Sequence, residues 1–297
     1  MLLERHSGED EHMAASRSVM ITGASTGIGY ATAKYLIERG WRVFAGVRKS
    51  ADADRLSAEL GDSVTPVMCD VTDDASVKAA GETVRAALDG AALSGLVNNA
   101  GVAVAGPLLH LPVEDMQRQL EINVTGQLRA TQAFAPLLGA GEERDGPPGR
   151  IVNMSSVAGL NATPLVTPYA CSKFALEAFT QGLRREMMLY GIDVVAINPG
   201  PIATPIWDKA EEIDPEQYAG TDYDGPIRRI LGYMLERGRT GLPPDRVAKA
   251  VHRALTDAKP KLNTIITPEP FQHWLLGVLP SRMADRLIAK RLGLMPD

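Results

Sequence analysis

Apolar residues in this chain fall into short runs separated by longer stretches of mixed character. The runs at Ser18–Thr22, Arg42–Val47, Val64–Met68, Ser94–Val97, Ile151–Met154, Asp193–Ile197 and Thr264–Thr267 are too short for helices, and most are rich in Val and Ile. They read as strands. The stretches at about 28–39, 52–60, 73–89, 113–138, 168–190 and 244–257 read as helices with one apolar face. Pro136 falls near the end of the fourth and is expected to kink it. Residues 139–149 are rich in Gly, Pro and charge, the composition of a surface loop. Strands alternating with helices predict an α/β fold: a doubly wound parallel sheet with helices on both faces. No repeat or linker interrupts the pattern, so a single domain over 18–297 is expected. The polar residues 1–17 read as a flexible extension.

Composition changes this picture little. With 45% hydrophobic and 23% charged residues among 297, a large core can form. The net charge of −5 supplies no basic footprint for nucleic acid. Cys69 and Cys171 are far apart, and the five histidines form no local cluster, so no metal site is expected. The cysteine usage fits a reducing, cytoplasmic setting. No apolar run reaches the ~18 residues of a membrane span.

The chemistry gathers where strands end, the place where open α/β sheets hold ligands. The first strand runs into Gly23-Ala-Ser-Thr-Gly27-Ile-Gly29 and then a helix. Glycines let a backbone approach a pyrophosphate, and the helix N-terminus favours its charge. The spacing departs from G-x-G-x-x-G, and a merely tight turn is the competing reading. After the second strand, Val47 stands where an NAD-binding unit carries an acid, and Arg48 and Lys49 follow. Two cations there favour a 2′-phosphate, hence NADP; two solvated side chains are the alternative. Tyr169 and Lys173 lie four apart, which puts hydroxyl and ammonium on one helix face. A free phenol has a pKa of about 10, and a nearby cation lowers it toward general acid/base use. Solvated helices carry the same spacing.

Taken together and in order, these motifs resemble the single-domain branch of the short-chain dehydrogenase/reductases. The resemblance covers about 18–268 and rests on Thr22-Gly23-x-x-x-Gly27-Ile28-Gly29, Asp70-Val71, Asn98-Asn99-Ala100-Gly101, Asn123, Ser156, Tyr169-x-x-x-Lys173 and Asn198-Pro199-Gly200. It implies a Rossmann sheet and residue roles. Tyr169 would exchange the proton with the substrate oxygen, and Lys173 would lower its pKa and hold the nicotinamide ribose. Ser156, rather than its neighbour Ser155, would hydrogen-bond that oxygen. Asn123 would support a water leading from Lys173. Gly23, Ser25, Thr26, Gly27, Ile28 and Gly29 would form the phosphate turn. Asp70 and Val71 would hold the adenine. Asn98, Ala100 and Gly101 would support the cofactor site, although a purely structural role for Asn98 and Thr22 is equally compatible. Pro199, Gly200, Ile202 and Thr204 would lie near the carboxamide. Tyr-Ala-Cys-Ser-Lys-Phe-Ala-Leu-Glu and Val-Phe-Ala-Gly-Val-Arg look like the hydroxysteroid and retinol dehydrogenase side of the family, where a Ser and an Arg placed as Ser25 and Arg48 are here hold the 2′-phosphate.

The resemblance therefore implies an oxidoreductase that prefers NADP(H), with NAD(H) possible, and interconverts a hydrophobic secondary alcohol and ketone. The alternatives are an NAD-dependent dehydrogenase of another small alcohol, or a dinucleotide-binding regulator without turnover. Closed self-association as a homodimer or homotetramer is expected through the helices at 113–138 and 168–190. The resemblance implies that the segment of about 201–242, with Ile206, Trp207, Ile230, Tyr233 and Met234, covers the substrate; an ordinary packed helix pair explains its apolar spacing equally well. The tail at about 270–297, with Phe271, Trp274, Val278, Met283, Leu287 and Leu292, could wall the substrate pocket or touch a membrane surface; core packing is the favoured expectation, with Arg282, Arg286, Lys290 and Arg291 keeping the membrane alternative open.

Overall fold

The computed structural model describes residues 17–205 and 214–295. Residues 1–16 of the expected extension, and Ile206 and Trp207, lie outside the described residues. Among the described residues, seven strands form one parallel sheet. They are β1 (Ser18–Ile21), β2 (Arg42–Val47), β3 (Val64–Met68), β4 (Gly95–Asn98), β5 (Arg150–Met154), β6 (Asp193–Pro199) and β7 (Asn263–Ile266). Their order, β3-β2-β1-β4-β5-β6-β7, reverses direction between β1 and β4. That reversal opens a crevice at the carboxyl ends of the two strands.

The central strands are buried on both faces, which is why they read as continuous apolar runs rather than as alternating ones. Successive side chains still point to opposite faces. Val19 and Ile21 face a layer with Leu36 of α1 (Gly27–Ile37), Leu56 of α2 (Ser50–Leu60) and Val251 of the helix Asp245–Thr256. Met20 between them faces Val84 of α3 (Asp74–Leu88), Phe134 and Leu183 on the other side.

Between Val113 and Leu138 the chain forms a rod with a defect rather than one helix. α4 (Val113–Leu120) passes into a π turn (Glu121–Thr125), then α5 (Gly126–Phe134), then a 3₁₀ turn (Ala135–Leu138). The π turn closes wider hydrogen-bonded rings than an α turn and rotates the faces of α4 and α5 against each other. Gly126 follows it because a Cβ there would come within 2.8 Å of Val71 Cγ2. Pro136 sits in the first turn of the 3₁₀ segment, where its missing N–H costs little, so the irregularity lies upstream of the expected kink.

After α6 (Thr167–Met187), the chain adds α7 (Asp224–Thr240), α8 (Asp245–Thr256), α9 (Pro270–Val278) and α10 (Ser281–Leu292). α7 and α10 build a third apolar cluster beside the sheet, with Ile230, Met234 and Leu292 buried and Tyr169, Tyr233 and Ile288 packed against them. The tail meets the expectation of core packing along one stripe only. Ala284 and Leu292 are buried, but Phe271 is 70% exposed and Trp274 56%, with Val278, Met283 and Leu287 also exposed. One helix face satisfies the third cluster, and the opposite face of α10 is covered by none of the described residues. No helix among the described residues is long and apolar enough to cross a membrane.

Candidate active site

The crevice begins at the turn after β1. Thr22 N donates to Val97 O (3.0 Å), and Thr22 Oγ1 accepts from Asn99 N and Ala100 N at 3.0 Å each. Asn99 Nδ2 donates to the carbonyls of Thr22 and Gly23, also at 3.0 Å. The turns after β1 and β4 are thereby joined through the Thr22 and Asn99 side chains, at an approach close enough to require two glycines. A Cβ on Gly23 (φ +63°) would lie 2.9 Å from Ala100 Cα, and one on Gly29 would lie 2.4 Å from Gly23 O. α1 has no acidic residue in its first turn, so its N-terminal N–H groups and dipole face an anion unopposed. Arg55 of α2 completes the turn: it donates to Ser25 O (2.5 Å) while paired with Glu59 (3.1 Å). Sequence reasoning missed Arg55, because nothing in its spacing marks a bond 30 residues back.

At the far end of the crevice, Arg48 follows β2, exposed and without a carboxylate partner within ion-pair distance among the described residues. Asp70 Oδ1 accepts from Thr72 N (3.0 Å) and Thr72 Oγ1 (2.8 Å). Burial opposes ionisation of Asp70, but the Thr72 hydrogen bonds and the Arg48 charge together hold its carboxyl below the usual range.

At the other end, α6 carries Tyr169 and Lys173 on one face. Lys173 is 4% exposed, donates to Met154 O at the end of β5 (2.7 Å), and lies 5.6 Å from the Tyr169 ring centre. Ser156 Oγ donates to Pro199 O (3.3 Å) and accepts from Ala158 N (3.1 Å), on the side of the cavity that Tyr169 also lines. The Tyr169 hydroxyl departs from expectation. Burial pushes its pKa up, and the relief comes from the Ser156 hydroxyl rather than from Lys173. Lys173 is itself brought down to about 8 by burial, opposed by the Glu177 carboxylate.

Asn123 sits on the π turn and is fully buried. Its Oδ1 accepts from Val102 N (2.9 Å), and its Nδ2 donates to Val102 O (2.9 Å) and Ser172 Oγ (3.0 Å). Its amide is thus committed to holding the loop after β4 against α6. Asn98 is also a tie rather than a lining residue: Nδ2 donates to Thr131 Oγ1 (3.1 Å) and Asn153 Oδ1 (3.0 Å) beneath the crevice. Sequence reasoning also missed Glu177, a carboxylate only 8% exposed. It accepts from Asn198 Nδ2 (2.5 Å) and Asn263 Nδ2 (3.2 Å), and Asn198 Nδ2 also reaches Ser156 O (3.1 Å). Its available signal was the i+4 spacing from Lys173.

These parts line one cavity of about 940 Å³ that runs from Arg48 past the glycine turn to Tyr169 and on to α7 and α10. Every site residue expected from the sequence lines it except Gly29, Asn98 and Asn123, which lie behind its wall. Lys49 is not part of the lining. Such a wall suits a long ligand: a phosphate cradle in the middle, a cation at one end, and two hydroxyls with an ammonium near the other.

A family model described as short chain dehydrogenase matches residues 17–214. The NADPH-dependent 3-dehydrocapnine reductase of Ornithobacterium rhinotracheale is 36% identical over 277 residues, which is 93% of this chain and 97% of that protein. The mitochondrial D-beta-hydroxybutyrate dehydrogenase of Bos taurus is 32% identical over 298 residues, 92% of this chain and 83% of that protein. Among solved structures, a short chain dehydrogenase from Burkholderia cenocepacia J2315 in complex with NADP superposes with a TM-score of 0.69 at 25% identity, covering 95% of this chain and 98% of that one.

Proposed function

The chain belongs to the short-chain dehydrogenase/reductase family, and from that premise we propose an NADP(H)-dependent oxidoreductase that interconverts a hydrophobic secondary alcohol and its ketone. The observation that carries this reading is the convergence of the Ser156 hydroxyl, the Tyr169 hydroxyl and the Lys173 ammonium beside a phosphate cradle in one cavity. The cradle fits a dinucleotide. Gly23 and Gly29 leave no room for a Cβ, and the first turn of α1 is free of acid. Ser25, Thr26, Gly27 and Ile28 would hold the pyrophosphate, Asp70 and Val71 the adenine, and Arg48 with Ser25 the 2′-phosphate. Ala100, Gly101, Pro199, Gly200, Ile202 and Thr204 would border the nicotinamide half. The Ornithobacterium relative is named as NADPH-dependent, which accords with this choice; NAD(H) remains the second cofactor.

When bound, the nicotinamide supplies or accepts the hydride. The protein's own contribution is a proton and a fixed geometry. A phenol is protonated at neutral pH and burial pushes the Tyr169 pKa further up, so its O–H is available to an oxygen that gains charge. Ser156, held from behind through Asn198, would turn its hydroxyl proton from Pro199 O to that same oxygen. Lys173, anchored on Met154 O, places positive charge beside Tyr169. In the oxidative direction Tyr169 takes the proton back.

Ile230, Met234 and Leu292 around Tyr169 support an apolar substrate, steroid-like or similar. Leu128 on α5 and Phe174 on α6 are 41% and 45% exposed, which supports pairing of these helices in a homodimer or homotetramer. Free Cys69 and Cys171 are compatible with a cytoplasmic setting. A regulator without turnover would have no use for the Ser156–Tyr169 pair. The test is a panel of hydrophobic ketones and alcohols followed by NADPH absorbance. Turnover of at least one carbonyl class is expected, and none across the panel would refute the reading.

A further inference from the structure

The outer wall of the cavity differs in character from its floor. α7 contributes Arg229, Ile230, Tyr233, Met234 and Glu236, and α10 contributes Ile288, Arg291 and Leu292. Ile230, Met234 and Leu292 pack in the cluster that holds Tyr169, so this wall borders the reacting end and not the Arg48 end. Two arginines and Glu236 are the charged groups these helices place on a largely apolar surface.

Neither arginine has an ion-pair partner among the described residues. Arg228 pairs with Glu216 and Asp224 at 2.7 Å each. Its neighbour Arg229 has no carboxylate within 4 Å among the described residues; its Nε donates to Leu292 O (2.9 Å), which ties α7 to the end of α10. Arg291 lies over the Tyr233 ring, 5.1 Å from its centre, and has no ion pair among the described residues. Arg237 lies 5.2 Å from the same ring but is neutralised by Glu269. The carboxylates lining this end are Glu236 and Glu269. With Glu269 committed to Arg237, which is not part of the lining, two guanidiniums, Arg229 and Arg291, stand with one remaining carboxylate, Glu236, in a chain whose net charge is −5. A guanidinium presents a fork of N–H donors matched to oxyanions, and stacking on Tyr233 fixes the plane of that fork.

We infer that Arg229 and Arg291 form an anion site at the mouth of the cavity, and that the substrate is an amphiphile whose oxyacid head group docks there. Its apolar chain lies along Ile230, Met234 and Leu292, and its oxygen-bearing carbon reaches Tyr169. This rests on the alcohol/ketone reading for the reacting end, but the anion site itself is testable without turnover.

The experiment is calorimetric binding at saturating NADP⁺ with two inert probes of equal chain length, decane-1-sulfonate and decanamide. The sulfonate should bind about tenfold more tightly at low ionic strength, the low end expected for charge-assisted contacts because both arginines are exposed. Added salt should shrink that ratio. Arg291→Gln and Arg229→Gln should each bring the ratio toward one. Arg291→Lys, which keeps the charge but not the fork, should retain more of it than Arg291→Gln, and this separates loss of charge from loss of fold. Equal affinities for the two probes, binding of neither, or a ratio that both Gln variants leave intact would overturn the anion site. Absence of ketone turnover, by contrast, would count against the oxidoreductase reading alone.

Discussion

Glu177 and Lys173 share a buried face of α6, one turn apart, and are 8% and 4% exposed. Glu177 opposes the loss of charge that burial imposes on Lys173, and through Asn198 it also fixes the Ser156 main chain. It acts as a positioning residue. Glu177→Gln preserves the hydrogen-bonding shape and removes the charge. The Lys173 pKa, about 8 in the intact site, should fall further, because the Glu177 charge is what raises it. The alkaline limb of the rate profile should then move to lower pH. A purely structural role would lower kcat uniformly and leave the profile in place.

Lys173 also imprints a pH dependence on stability. Its folded pKa is about 8 against an ordinary 10.5. Below pH 8 both states are protonated and the full cost of burying the charge applies. Between about 8 and 10.5 the unfolded chain holds the extra proton, so the unfolding free energy rises with pH. The span of about 2.5 units corresponds to ~3 kcal/mol. Denaturant titrations of wild type and Lys173→Met should show wild type gaining on the variant across that window. A constant difference would contradict the assignment.

Cofactor preference should reside in Arg48. Arg48→Ala should weaken NADPH binding roughly ten- to hundredfold and leave NADH nearly unchanged. The complementary change, Val47→Asp, is expected to shift the preference toward NADH. It is the less clean test, because Val47 is 2% exposed within the core and a carboxylate there costs stability. Equal weakening of both cofactors by Arg48→Ala would show that Arg48 stacks on the adenine instead.

Elements with one period and one environment were legible from the sequence. β2 and β3 match their expected limits, and the remaining expected strands differ by one or two residues, because a strand buried on both faces announces itself as a run. The π turn at Asn123 was hidden, since one added residue inside a helical pattern leaves the apolar spacing almost intact. The cavity-lining residues were legible as motifs. Their supports, Arg55, Glu177 and the Asn98–Asn153 tie, were not, because each acts across 21 to 55 residues of chain. The exposed face of α9 and α10 was misjudged because apolar content cannot say whether a partner surface exists.

Self-association should involve α5 and α6. Light scattering at micromolar concentration should give a dimer or tetramer, and Phe174→Glu, which places charge on the exposed apolar face of α6, should shift it toward monomer. A monomeric wild type would contradict the arrangement.

In the proposed reaction Tyr169 moves the proton of an NADPH-dependent carbonyl reduction. The most direct measurement follows NADPH absorbance with a ketone that the wild-type protein turns over, and repeats it with Tyr169→Phe. The variant should bind NADPH as wild type does and lose roughly 10²- to 10⁴-fold in turnover, the contribution typical of a positioned general acid. A Tyr169→Phe protein that reduced the ketone at close to the wild-type rate would contradict the account.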